Sequence, residues 1–291
     1  MTSPVPLQVE VPPPAAVSAA GAPVTTEAIR ADAPLREATL AYLLAIGDDE
    51  MLLGHRDAEW TGLGPILEED IAFSSMAQDE MGHALVWYTL AGTLGAPEAD
   101  ALAFLRDTTG WRSARLVELP RGDYAFSLVR QVLFDLAEAV RLHGLARSTW
   151  VPMAHAATKL SQEEKYHLLH GRAYLERLGR ASEDSRARLQ AALDEAFGYA
   201  LGLWEPPPDE ARLVAAGITP PSADLAGAWL AAAVPFLQAC ELAPPVTGGP
   251  DLWLPTVEAV VGGRTGDHGD DLALLLASMQ GMYRSDPEAT W

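Results

Sequence analysis

Apolar residues recur at helical spacing in about seven segments of the chain, and no stretch alternates with the period of two that a half-buried strand requires. The segments predict helices over about 35–55, from after Pro65 to about Gly95, and from Asp123 to about Arg147. A fourth follows Pro152 and ends at Leu178-Gly179, and the rest cover about 182–204, 222–241 and 268–283. End signals agree with these limits. Asp123 is a good N-cap, Gly179 a good C-terminal stop, and Pro206-Pro207-Pro208 closes the fifth segment. The second and fourth segments run to roughly 30 residues, long for a globular protein. Four long helices with short-to-medium connections predict an all-α fold, a four-helix bundle with additional C-terminal helices. Residues 1–34, rich in Pro, Ala, Val and Thr, predict a flexible extended arm, which leaves 35–291 as a single helical domain.

Two of the long helices carry the same short pattern. Glu80-Met81-Gly82-His83 lies in the second and Glu164-Lys165-Tyr166-His167 in the fourth, and no other Glu-x-x-His occurs. The i, i+3 spacing puts acid and imidazole on one helical face. Together they suit a metal such as iron or manganese. A four-helix carboxylate site needs one such pair from each of two helices and a lone acid from each of the others. In the first helix Glu50 continues the stripe Leu43, Ile46, Leu53, while Asp48 and Asp49 turn away. In the third, Glu138 follows Phe134 by one turn, and Asp135 is a rival on the same face. Glu138 could instead pair with Arg141 at i+3. Asp79 and Glu163 each precede a candidate ligand, rotated by about 100°, from where each can reach the histidine of the other motif. His170, one turn past His167, is either an outer partner of the site or exposed. Trp60, Trp87 and Trp111 read as core or interface residues, and Cys240 as a small core filler.

Charge narrows the function classes. Among 291 residues there are 40 acids and 20 bases, a net charge of −20, and only Lys159 and Lys165 are lysines. That excludes broad binding to nucleic acid or to anionic membrane surfaces. An Arg172, Arg177, Arg180 patch reads as a solvated helix face. With one cysteine, no internal disulfide and no cysteine-rich zinc or iron–sulfur site can form. No apolar run spans a bilayer, and the first basic residue is Arg30, so neither a membrane span nor a secretory signal is expected and a cytoplasmic location is. The Gly262-Gly263-Arg264-Thr265-Gly266 run follows no strand and does not read as a phosphate loop. Flavin, nicotinamide and iron–sulfur motifs are missing, so any redox chemistry at the carboxylates takes its electrons from another protein.

Several segments carry a family resemblance. They are Gly47-Asp48-Asp49-Glu50, Glu59-Trp60-Thr61-Gly62, Gln78 to His83, Leu102 to Asp107, Leu116 to Pro120, Tyr174 to Gly179 and the close from Gly281-Met282-Tyr283 to Trp291. Over about 35–291 the chain resembles the PaaC-type subunits of bacterial phenylacetyl-CoA ring epoxidases. The resemblance implies a ferritin-like bundle in a hetero-oligomeric monooxygenase of aerobic phenylacetate catabolism. It implies a homologous PaaA-type catalytic subunit with a di-iron site, a small PaaB-type subunit, and an iron–sulfur flavin reductase. Phenylacetyl-CoA is then handled by the complex. PaaC-type subunits are expected to have lost the iron ligands, whereas this chain keeps Glu50, Glu80, His83, Glu138, Glu164 and His167, enough for two iron ions. Two alternatives follow: the chain is itself the catalytic di-iron subunit, or it is a ferritin-like iron-binding protein.

Overall fold

A computed structural model describes residues 22–287 and Ala289. The described residues are predominantly helical. The chain begins with α1 (Thr26–Ala31), the long α2 (Ala33–Ala58) and α3 (Leu67–Thr93), and the short α4 (Ala99–Phe104) and α5 (Arg115–Glu118). It continues with α6 (Tyr124–Leu145), α7 (Val151–Leu160), α8 (Glu164–Ala181) and α9 (Glu183–Leu201). The C-terminal part holds α10 (Glu210–Ala215), α11 (Ser222–Ala239) and α12 (Asp270–Ser285). Helix α2 runs along α3, and α6 packs against α8 and α9. No helix among the described residues is long and apolar enough to cross a membrane.

Caps explain several boundaries. The Asp123 carboxylate accepts from Phe126 N at the start of α6, and Ser182 and Ser185 form a reciprocal capping box at the start of α9. Two glycines set helix spacing. A Cβ on Gly54 of α2 would lie 3.0 Å from Ala77 O and from Glu80 Cβ of α3, and one on Gly171 of α8 would lie 2.4 Å from Val132 Cγ2 of α6. A larger residue at Gly171 would force these two helices apart. The main core gathers residues such as Leu52, Trp111, Leu133, Phe197 and Trp229, and a second cluster packs Ile29, Leu43, Trp87 and Leu145 around Trp150. Trp60, Trp87, Trp111 and Cys240 are all buried.

Four expectations change. First, the segment after Pro152 is two helices. Ser161 Oγ donates to Thr158 O (2.9 Å), and Gln162 N and Glu163 N donate to residues three back, so the α-helical ladder breaks at 161–163. Second, a two-stranded antiparallel hairpin exists, β1 (Val246–Gly249) and β2 (Leu252–Pro255). Its strands are too short to show alternation, although Gly248-Gly249-Pro250-Asp251 is a turn signal. Third, the end of the expected arm is packed. Thr25 caps α1, Ile29 is buried, and Trp150 Nε1 donates to Thr26 Oγ1 (3.0 Å). The rest of that arm, residues 1–21, lies outside the described residues. Fourth, α2 is buried on all sides through its centre, so Asp48 and Asp49 do not turn to water.

Both acids are held by arginine. Tyr88 Oη donates to Asp48 Oδ1 (2.6 Å), Arg106 pairs with both Asp48 oxygens, and Arg112 N donates to Oδ2 (2.7 Å). Arg264, from the glycine-rich run, forms a bidentate pair with Asp49 at 2.8 and 2.6 Å, and Ala114 N adds a third bond (2.7 Å). These pairs pin the α2 turn from which Glu50 projects.

A histidine pin ties the C-terminal region to the bundle. His268 Nδ1 donates to Glu118 Oε1 (2.6 Å) and Nε2 to Trp111 O (3.0 Å), so both nitrogens carry protons. Burial alone lowers the His268 pKa, but the Glu118 bond and charge and the Trp111 carbonyl outweigh it, and the net shift is upward. The pair's stabilisation is therefore complete below the ordinary histidine value of 6.5 and fades as pH rises through the raised folded value. The His268→Gln variant should be destabilised more at pH 6 than at pH 9 in urea titrations. An equal loss at both pH values would refute an ionic pin.

Candidate metal centre

Four helices deliver six side chains to one buried place. Glu50 comes from α2, Glu80 and His83 from α3, Asp135 from α6, and Glu164 and His167 from α8. All are at most 3% exposed, so the cluster is closed to bulk water. Ligand atoms converge in two groups, Glu50–Glu80–His83 and Glu80–Asp135–His167, and in each the atoms lie within 4.8 Å of one another. His83 Nδ1 lies 3.7 Å from Glu50 Oε2, 3.6 Å from Glu80 Oε2 and 3.5 Å from Glu164 Oε1. His167 Nδ1 lies 3.5 Å from Glu80 Oε1, 4.0 Å from Asp135 Oδ1 and 3.8 Å from Glu164 Oε1. Glu80 thus offers one oxygen to each group, and Glu164 Oε1 lies near both histidines. The two imidazoles stack at 6.4 Å between centroids.

The donor set fits a pair of cations. Both oxygens of Glu50 and Glu164, one oxygen each of Glu80 and Asp135, and Nδ1 of both histidines are buried without a hydrogen-bond partner. Leaving so many inward-facing acceptors unsatisfied costs free energy at every atom, about 1–3 kcal/mol each, unless something positive sits among them. Four carboxylates match the charge of two divalent ions. Without cations the acids cannot all ionise. Burial pushes Glu50 and Asp135 up to about 7. Burial, then the neighbouring carboxylates, hold Glu80 and Glu164 well above the usual range.

The outer nitrogens of both histidines point to the rim. His83 Nε2 donates to Glu163 Oε2 (2.8 Å), and His167 Nε2 to Asp79 Oδ2 (3.2 Å). Each acid therefore holds the histidine of the other helix. With a cation bound, Nδ1 is then the lone pair facing the carboxylates, the tautomer a metal ligand needs. Burial works against a charged His167, but the Asp79 bond and the Glu80 and Asp135 charges raise its pKa to about 10 when no cation competes.

Glu138 stands apart from this group. It is buried, but Arg141 Nη1 donates to its Oε1, and it joins neither set of converging atoms. Asp135, one turn earlier, occupies the α6 position instead. Glu138, expected among the ligands, is thus set apart from the converging atoms, and the reason is local: a guanidinium three residues on captures the longer acid. His170 also lies outside the group. Its Nε2 is 3.0 Å from both oxygens of Glu69, which also accepts from Tyr124 Oη. The arginine patch is largely self-paired, with Arg172 on Glu176 (2.8 Å) and Arg180 near Glu241 (3.4 Å). Sequence reasoning missed Gln131. Its Nε2 donates to Glu80 Oε1 and Asp135 Oδ1, both at 2.8 Å. Its position four residues before Asp135 was the available signal.

The sequence model of the phenylacetic acid catabolic protein family matches residues 24–291. The chain belongs to that family. Within it, the C-type subunit of the 1,2-phenylacetyl-CoA epoxidase of Escherichia coli (strain K12) is 30% identical over 253 residues, covering 86% of this chain and 98% of that protein. The A-type subunit of the same organism's epoxidase is 28% identical over 163 residues, 56% of this chain and 52% of that protein. The chain is thus similar to two different subunits, along nearly the whole length of one and over about half of the other.

Proposed function

We propose that the chain is the C-type subunit of a phenylacetyl-CoA epoxidase, that it pairs with an A-type subunit, and that it carries a two-iron centre of its own. The match along 98% of the Escherichia coli C-type subunit carries the first part. The ring of buried, unpartnered carboxylate and imidazole atoms supports the last. Glu50, Glu80, His83, Asp135, Glu164 and His167 would hold the ions, and Asp79 and Glu163 would fix the histidine tautomers. Bound iron would supply the capacity to reduce dioxygen with electrons from another protein, in this reading the iron–sulfur flavin reductase of the complex. The side chains contribute the rest. They place the ligand atoms, keep water out by burial, and hold the proton on each outer histidine nitrogen. Phenylacetyl-CoA as the substrate of the complex, a PaaB-type subunit and a cytoplasmic location belong to the same proposal.

The outer face of α3 supports a protein partner. Leu67, Ile71 and Leu85 are 70%, 59% and 55% exposed at helical spacing. Gly82 lies on the same exposed face, where an added Cβ would meet nothing within 4 Å. A glycine in mid-helix costs about 1 kcal/mol relative to alanine, and none of the described residues requires it there. Close approach of another subunit would.

Co-expression with an A-type homologue should give a stable heteromeric complex on size-exclusion chromatography. The Leu67→Glu, Ile71→Glu variant should weaken it by roughly tenfold or more, since exposed apolar anchors dominate interfaces. A chain that forms large homo-oligomers and ignores the A-type homologue would be a ferritin-like protein instead.

A further inference from the structure

The two halves of the carboxylate cluster are not equivalent, and Gln131 makes the difference. The glutamine is 1% exposed on α6, beneath the cluster. Its amide nitrogen spends one hydrogen on Glu80 Oε1 and the other on Asp135 Oδ1, both at 2.8 Å. Those oxygens are the ones that face His167 Nδ1, at 3.5 and 4.0 Å. The amide orientation follows from the chemistry, since the carbonyl oxygen turned this way would meet two acceptors. On the His83 side nothing comparable exists among the described residues. Neither Glu50 oxygen nor Glu80 Oε2 accepts from an amide, hydroxyl or guanidinium there, and Glu164, whose Oε1 lies near both histidines, has no such donor on either side.

Resting on the two-iron reading above, we propose that Gln131 is a positioning residue that aims Asp135 and one arm of Glu80, and that the cation position beside His167 depends on it while the position beside His83 does not. Three features support the assignment. Asp135 is one methylene shorter than the glutamates of the site, so its reach depends on its rotamer. Among the described residues, no hydrogen bond other than Gln131's holds its carboxylate. Glu138, the other acid on that face of α6, is withdrawn by Arg141, so α6 has no substitute ligand if Asp135 swings away.

The test is a Co(II) titration of the metal-free full-length chain, read by visible absorption and by metal analysis after gel filtration. Wild type should take up about two ions per chain, as a four-helix carboxylate site does. Gln131→Met, similar in length but with no donor, should keep one ion at wild-type affinity. Its second ion should be weakened by roughly 10–100-fold, the usual cost of losing an outer-shell partner. Gln131→Leu, close in volume and also without a donor, serves if the Met variant folds poorly. It should show the same one-ion loss, with far-UV circular dichroism confirming the fold. Two ions at unchanged affinity in both variants would overturn the role of Gln131 and leave the metal centre standing. Equal weakening of both ions would overturn the selectivity. A wild-type chain that binds no Co(II) would remove the two-iron reading and this inference together.

Discussion

Replacing Glu80 and Glu164 by glutamine should empty the metal centre while making the metal-free protein more stable. Glu80 supplies an oxygen to each group of ligand atoms, and Glu164 Oε1 lies within 3.8 Å of both inner imidazole nitrogens. Amides of the same shape are poor ligands for hard cations, so metal content should fall from about two ions per chain to nearly none. Stability should move the other way. The two carboxyls are buried and crowded by like charges, and burial followed by neighbouring acids keeps their pKa values well above normal. Neutral amides relieve that repulsion, by about 1 kcal/mol or more in the presence of a chelator. Elemental analysis and urea unfolding with and without chelator measure both effects. A variant that loses metal and chelated stability together would show the acids to be structural, and the centre would need another account.

Arg264→Ala should cause the largest loss of stability among the substitutions considered. Arg264 is 3% exposed and donates to both Asp49 oxygens, to Ala45 O, to Arg112 O and to Leu203 O. Truncation leaves Asp49 with Ala114 N as its remaining hydrogen bond and strands a buried charge, which costs about 3–5 kcal/mol. Removing both charges in Asp49→Leu, Arg264→Met should recover most of that, because the penalty lies in the unpaired charge rather than in the absence of the pair. Urea midpoints of the three proteins decide the matter. A single variant within about 1 kcal/mol of wild type would mean that water or Arg141, whose Nη2 is already 3.9 Å from Asp49, takes over the acid.

The linear chain made the helices legible because burial imposes the helical period on apolar residues, and because caps and prolines mark the ends chemically. The seven periodic segments correspond to α2, α3, α6, the α7–α8 pair, α9 with its following turn, α11 and α12. The i, i+3 rule likewise put Glu80 with His83 and Glu164 with His167 on common faces without reference to a partner. What periodicity could not reveal was competition between neighbours. Asp135 and Glu138 share a face of α6, and each has a possible partner nearby, Gln131 or Arg141. Only the packing of α6 against α8 sets Asp135 opposite His167 and leaves Glu138 to the guanidinium.

An all-α chain with acids and imidazoles at metal-ligand spacing on successive helices is readable from the linear order of residues, because backbone geometry fixes which residues share a face. Helix packing selects which of those acids converge. It also turns Asp48 and Asp49 inward to arginines, Arg264 among them from the far C-terminal region, and it enlists Gln131. The reason is the same in each case: burying a charge is tolerated only where a specific opposite charge or donor meets it, and such partners are brought together by helix packing rather than by their distance along the chain.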